Sequence, residues 1–165
     1  MSKKINLLMI GAMYENGGNT VHRFLDGHPQ MHVYPFESQL GTILVQDHLT
    51  SLFPVKYRWP VFPLAGDPQG DYRLIIDEET KVRSRTPQVS KFRHAAFDFS
   101  DDDRYTFYDK FIKRNGRSRA NNVLAFFSST FAAWKNFRRT GKEKWYVGYS
   151  PALVVDAEKF LQDFP

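Results

Sequence analysis

Residues Met9 to Gln30 read MIGAMYENGGNTVHRFLDGHPQ, and the two adjacent glycines in that stretch constrain the fold more than any other feature. Before them, Ile5 to Met13 is an apolar run with one early Asn, the pattern of a strand buried on both faces in a parallel sheet. After them, Asn19 or Thr20 starts a helix that runs to Asp26. Val21, Phe24 and Leu25 follow at helical spacing, and Gly27 supplies a left-handed stop. A strand that passes through a bare turn into a helix is the opening unit of an α/β sheet, and the turn after the first strand is the usual ligand site of such a sheet. A helix start offers unpaired N–H groups and a positive dipole end, which together bind phosphate. Gly17 and Gly18 have no Cβ to obstruct an anion, and either tolerates positive φ. Asn19 and Thr20 add side-chain donors. An ordinary tight turn with a helix cap would use the same residues.

The rest of the chain continues the alternation. His32 to Phe36 reads as a second short strand, and Gln39 to Ser51 as a helix with Leu40, Ile43 and Leu44 apolar. From about 54 to 100 prolines, charges and aromatics mix without a period. This predicts a loop-rich insertion with one strand or helix near Tyr72 to Ile76. Asp101 to Asp103 head a helix, a placement that suits the helix dipole. Asn121 and Asn122 cap the clearest helix, whose buried face is Val123, Leu124, Phe127, Phe131 and Trp134 and which frays near Gly141. Lys144 to Tyr149 is a strand, and Asp156 to Gln162 a last short helix. The whole reads as one domain over 1–165: an α/β, P-loop-like parallel sheet flanked by helices.

Composition narrows the classes. Fifteen Phe, eight Tyr and 42% hydrophobic residues describe a folded chain with a core. The absence of cysteine excludes disulfides and thiolate zinc sites. The apolar run after Lys3 and Lys4 is too short to span a membrane and no cleavage pattern follows it, so a cytoplasmic location is expected. A net charge of +5 suits anionic ligands without naming one.

The histidines offer no metal spacing. His22 falls inside the first helix, His28 precedes Pro29 at its end, and His32 alternates with Val33 in a strand. No metal site is expected. Lys113, Arg114, Arg117 and Arg119 form a basic segment that reads as a solvated turn between helices. Lys135, Arg138, Arg139, Lys142 and Lys144 form another, but the helix already accounts for its aromatic Phe137, so nucleic acid is disfavoured.

Neither the ATP-type P-loop nor the dinucleotide fingerprint fits: the lysine is missing after Gly18, and Gly11 opens no G-x-G-x-x-G. The pattern instead resembles the sulfotransferases that use 3′-phosphoadenosine-5′-phosphosulfate (PAPS). Asn16, Gly17, Gly18, Asn19 and Thr20 occupy the position of their loop, of the type P-R-S-G-T-T or K-G-G-T. Leu25-Asp26-Gly27-His28-Pro29 matches their L-D-x-H-P helix end, and Pro35-Phe36-Glu37 supplies the acid that follows. Tyr149-Ser150-Pro151 resembles their K-T-P or K-S-P segment, and Asp163-Phe164-Pro165 the F-P before their second nucleotide-binding strand. The middle of the chain carries no matching motif. Glu15 and Asn16 stand where the families often place Arg or Lys, and Tyr149 where they place Lys.

The resemblance implies PAPS as co-substrate and transfer of its sulfuryl group to a hydroxyl or amine of a small-molecule or saccharide acceptor. It implies that residues 16–20 hold the 5′-phosphosulfate and that Glu37 takes the acceptor's proton. The strand expected after F-P would carry the arginine that holds the 3′-phosphate. The chain is therefore expected to be the N-terminal part of a longer protein, inactive alone and prone to self-association through an unpaired sheet edge. Two other classes fit less of the sequence: a P-loop-like nucleotide-binding protein without catalysis, and a basic nucleic-acid-binding module.

Overall fold

Apolar runs separated by cap-and-glycine punctuation give an α/β arrangement. The computed structural model describes residues 6–12, 17–38, 40, 66–76, 98–150 and 157–165. Within them the order is β1 (Asn6–Gly11), α1 (Gly18–Phe24), β2 (Met31–Glu37), α2 (Pro68–Ile75), α3 (Asp101–Asn115), α4 (Arg119–Ala133), β3 (Trp145–Ser150) and α5 (Ala157–Asp163). The three strands are parallel, and β3, last in sequence, lies between β1 and β2. Asn6 to Gly11 pair with Trp145 to Ser150 without a break.

Side-chain alternation along β3 separates two helical layers. Tyr146 stacks on Phe127 and Phe131 of α4. Tyr149, on the other face, stacks on His22 of α1. The chain steps forward from β1 to β2 over α1, then back to β3 over α2, α3 and α4. Two right-handed crossovers of opposite direction must use opposite faces, and these do.

The main core lies on the α4 side. Tyr34, Phe126 and Phe127 pack edge to face, with centroids 5.6 and 5.8 Å from Tyr34. Tyr72, Ile75, Tyr108 and Ile112 extend this cluster through α2 and α3.

Caps explain the helix limits. The Asp67 side chain accepts from Gly70 N at 2.9 Å and Pro68 sits in the first turn, so a stretch that reads as loop in its prolines starts a helix. Ser100 accepts from Asp103 N at 3.1 Å and begins α3, with the three acids in its first turn as expected. Ser118 accepts from Asn121 N at 3.0 Å, so α4 starts before the expected Asn121–Asn122 cap. Asn122 is instead buried, accepting from the Tyr108 hydroxyl at 2.9 Å. α4 also ends at Ala133, short of Gly141. There the Arg139 guanidinium donates to the Phe131 and Trp134 carbonyls, and Lys135 N donates to Asp98 O. An arginine after the helix closes its carbonyl end, which periodicity alone does not register.

Other expectations shift as well. β1 is half-buried, not buried on both faces; β3 is the central strand among the described residues. The expected helix over 39–51 lies outside the described residues, except Leu40, which is in the core. Outside them too lies most of the expected insertion over 54–100. The basic segment between α3 and α4 is largely matched by acids: Lys113 pairs with Asp109, Arg117 with Asp71 and Arg119 with Asp163, all within 2.7 Å. No described helix is long and apolar enough to cross a membrane.

Candidate functional site

Gly17 holds φ at +85°, the left-handed region, and caps α1 without any side-chain hydrogen bond. The turn thus needs glycine at 17 for its backbone. Gly18 is needed for a different reason. It is buried in the first turn of α1, and a Cβ there would lie 2.8 Å from Tyr149 Cε2, with the Ala12 Cβ nearer still. The bare backbone at 18 lets helix and sheet approach closely. A Gly18→Val variant would therefore disturb the fold.

That close approach also turns the helix over. Val21 and Phe24, the apolar residues at helical spacing, are 54% and 81% exposed. Gly18 and His22 face the sheet instead, four residues apart on one helical stripe. Asn19, His22 and Arg23 of α1 and Asp26 in the turn that follows it line a cleft of about 610 Å³, the first three at the i, i+3 and i+4 spacing of one helix face. Across it stand Pro35 and Glu37 of β2, with Val33 and Tyr149 among its other lining residues.

β2 is irregular at this point. Its pairing with β3 breaks between Val33 and Glu37, where four steps on β2 answer two on β3. Pro35 has no N–H to give the ladder, and such bulges re-aim side chains near sites. After the irregularity Glu37 pairs with Tyr149 and reaches the cleft.

The cleft therefore brings together Asn19 and Glu37, two of the residues singled out in the sequence. Gly17 and Gly18 form the adjoining turn. Thr20 is exposed, is not part of the lining and bonds through its N–H to Gly17 O at 2.9 Å. Asn16 lies outside the described residues. His22, Arg23, Asp26 and Tyr149 join the site unforeseen. The polar i, i+3, i+4 stripe was a usable signal, masked by the apolar residues beside it.

His22 is the least ordinary member. It is 5% exposed, stacks on Tyr149 at 5.7 Å, and its Nε2 has no hydrogen-bond partner among the described residues. An unpaired buried polar atom costs about 1–3 kcal/mol, so its retention calls for a reason. Burial holds the imidazole's proton affinity below its ordinary value; the Tyr34 backbone and Asp26 oppose this, and Arg23 adds to it. The ring is accordingly neutral near pH 7, with a lone pair to offer.

His32 is also buried, between Phe131 at 4.8 Å and Tyr146 at 5.5 Å, and belongs to the core. His28 accepts from Gln30 N through Nδ1 in the turn that ends α1. Among the described residues no group of acids and histidines is arranged to hold a metal ion.

The chain exits complete the geometry. β1 leads into α1 on one face. After β3 the chain reaches α5, which the Arg119–Asp163 pair and the contacts of Phe160 and Phe164 with the core bind to the α4 side. The carboxyl ends of the adjacent strands β1 and β3 thus serve opposite faces, the switch point at which open α/β sheets place ligands.

No family model matches the chain, and no curated protein or solved structure matches it significantly.

Proposed function

We propose that this is a P-loop-like domain of the sulfotransferase kind, which binds PAPS at the β1–α1 turn and passes its sulfuryl group to an acceptor in the α1–β2 cleft. The observation that carries the reading is the switch point between β1 and β3, with the left-handed Gly17 turn beside it. The sequence likeness at residues 16–20, 25–29 and 35–37 supplies the nucleotide's identity.

In this reading the backbone of residues 17–20 and the Asn19 side chain hold the phosphosulfate. An acceptor oxygen or nitrogen attacks sulfur, the bond from sulfur to the bridging phosphate oxygen breaks, and the electron pair leaves with the adenosine bisphosphate. Glu37 takes the acceptor's proton. Positioning and charge stabilisation supply the rate, as in phosphoryl transfer. The loop lacks the family's basic residue, and Arg23 provides a guanidinium within the same cleft.

A thermal-shift titration tests this. Adenosine 3′,5′-bisphosphate should raise the melting temperature and ATP should not; equal or absent responses would remove the nucleotide assignment. Transfer of labelled sulfate from PAPS would then separate an enzyme from a nucleotide-binding protein without catalysis, the second reading, which the missing loop cation favours. Glu37→Gln should lower any turnover about 10²-fold while leaving bisphosphate affinity unchanged.

A further inference from the structure

We propose that the cavity between the α1–β2 turn and the loop before β3, walled by Glu143, Asp26 and Phe137, is a second small-molecule site, which takes an ammonium or guanidinium group carried on a short apolar stem. It lies at the amino ends of β2 and β3, whereas the β1–α1 turn lies at the carboxyl end of its strand. The site does not rest on the transferase reading.

The cavity is preformed. Its volume, about 400 Å³, is that of a small-molecule site. One wall is the turn after α1, where Met31 N donates to His28 O and Gln30 N to His28 Nδ1. The other is the loop from Phe137 to Glu143. The Thr140 hydroxyl donates to Pro29 O at 2.5 Å and Lys144 N to Gln30 O at 2.7 Å, so the two walls are clamped together. Phe137 packs on Phe131 and Trp134, each at 5.0 Å, and with Met31 and Val33 gives the cavity an apolar side.

Glu143 is the sign that a cation belongs there. It is 8% exposed, and its Oε1 accepts from Thr140 N at 2.5 Å. Burial raises its proton affinity, but the N–H groups of Thr140 and of Glu143 itself outweigh this and hold it below the ordinary carboxylate value, so it is ionised near pH 7. A covered charge calls for a countercharge, and among the described residues no lysine or arginine pairs with this one. Arg138 lines the cavity without pairing with Glu143 or Asp26, Arg139 is engaged by the carbonyls that end α4, and burial keeps His32 neutral. Glu143 Oε2 has no hydrogen-bond partner on another described residue, yet it is not sealed from solvent, and the residue lines the cavity. An ammonium or guanidinium supplies both the missing charge and N–H donors, with Asp26 as a second acceptor. Its apolar stem covers Met31, Val33 and Phe137. Two carboxylates against one guanidinium disfavour an anion. Asp26 also lines the α1–β2 cleft, so Glu143, which does not, carries the test.

The test is an amide ¹H–¹⁵N correlation spectrum of the full chain, titrated separately with n-butylammonium chloride, n-butanol, norleucine and potassium chloride. The butylammonium ion should move the Thr140 and Glu143 amides saturably at millimolar concentration and leave Gly17 and Gly18 unmoved; butanol and potassium should not saturate. Glu143→Gln keeps an oxygen for Thr140 N and removes the charge, and should weaken butylammonium about tenfold or more. Arg138→Gln, at an exposed position, should instead tighten it about threefold, which keeps the test open if the Glu143 variant does not fold. No saturable shift with butylammonium would overturn the proposal, as would an equal response to butanol or to potassium. Tighter binding of norleucine than of butylammonium would also overturn it, in favour of a zwitterion site that uses Arg138.

Discussion

Gly18 and Tyr149 meet so closely that a methyl group on the glycine would stand 2.8 Å from the tyrosine's Cε2. Both atoms' elements are anchored, α1 by its turn and Tyr149 by its place in β3, so neither gives way cheaply. Gly18→Ala should therefore destabilise by about 1–3 kcal/mol through overpacking. Set against it is the roughly 1 kcal/mol that alanine gains over glycine in a helix, which leaves a net loss of about 0–2 kcal/mol. Gly17→Ala meets open space and should lose only the left-handed cost, about 1–2 kcal/mol. Urea midpoints of the two variants check this; a stabilised Gly18→Ala would show that α1 sits further from the sheet. Probes of nucleotide binding belong at Asn19, where a substitution leaves that contact alone.

Gly148 is confined from three sides. A Cβ there would lie 2.7 Å from Met9 Sδ, 2.8 Å from Ser38 Oγ and 2.9 Å from Phe127 Cζ. These neighbours belong to β1, to the end of β2 and to α4, so relief in one direction tightens another. Gly148→Ala should cost at least as much as Gly18→Ala and should reduce the near-ultraviolet signal of the aromatic core. A near-neutral change in denaturant midpoint would count against the packing of α4 on the sheet.

How much was legible in the sequence follows from which forces set each element. β1, the β2 core, α3, α4 and β3 are marked by apolar periodicity and burial, and their positions follow it closely. The limits of α4 are not, because Ser118 before it and Arg139 after it set the ends by hydrogen bonds that periodicity does not encode. The orientation of α1 is not legible for a related reason. Val21 and Phe24 have the spacing of a packed face, but the closeness of Gly18 to Tyr149 and the stacking of His22 decide which side meets the sheet. The turn and Glu37 could be singled out as a pair; that they share a cleft with His22 and Arg23 depends on this rotation.

Two buried histidines make stability sensitive to mild acid. Burial depresses the proton affinity of both His22 and His32, with Arg23 and Arg139 respectively acting in the same sense. The unfolded chain binds protons at these residues near pH 6.5, whereas the native state resists them. Their contribution is thus fully present above that pH and is lost as pH falls toward the folded values. Between pH 7.5 and 5.5, above the carboxylate range, unfolding free energy should decline with a limiting slope of about 1.4 kcal/mol per pH unit for each histidine. Urea titrations across this window measure it. The double variant His22→Phe/His32→Phe should flatten the profile; an unchanged slope would place the acid sensitivity elsewhere.

The buried charge at Arg104 yields the last prediction. Arg104 is fully buried, its Nε donating to the Tyr72 hydroxyl at 2.9 Å and its Nη2 to Asp101 Oδ1 at 2.6 Å. Tyr72 in turn donates to the same carboxylate oxygen at 2.7 Å, while Nη1 is buried without a partner among the described residues. Truncating Asp101 to Ala leaves a guanidinium stranded in the core, and breaking a buried pair in this way costs about 3–5 kcal/mol. Arg104→Met removes the charge and its desolvation together and fills a comparable volume beside Phe99, Tyr72 and Phe126. The carboxylate it abandons is partly exposed and keeps the Tyr72 hydroxyl. The arginine variant should therefore lose much less than the aspartate variant, although both break the same ion pair. Equal losses in denaturant unfolding would show that the pair stabilises the fold by its attraction, and that solvation does not set the balance.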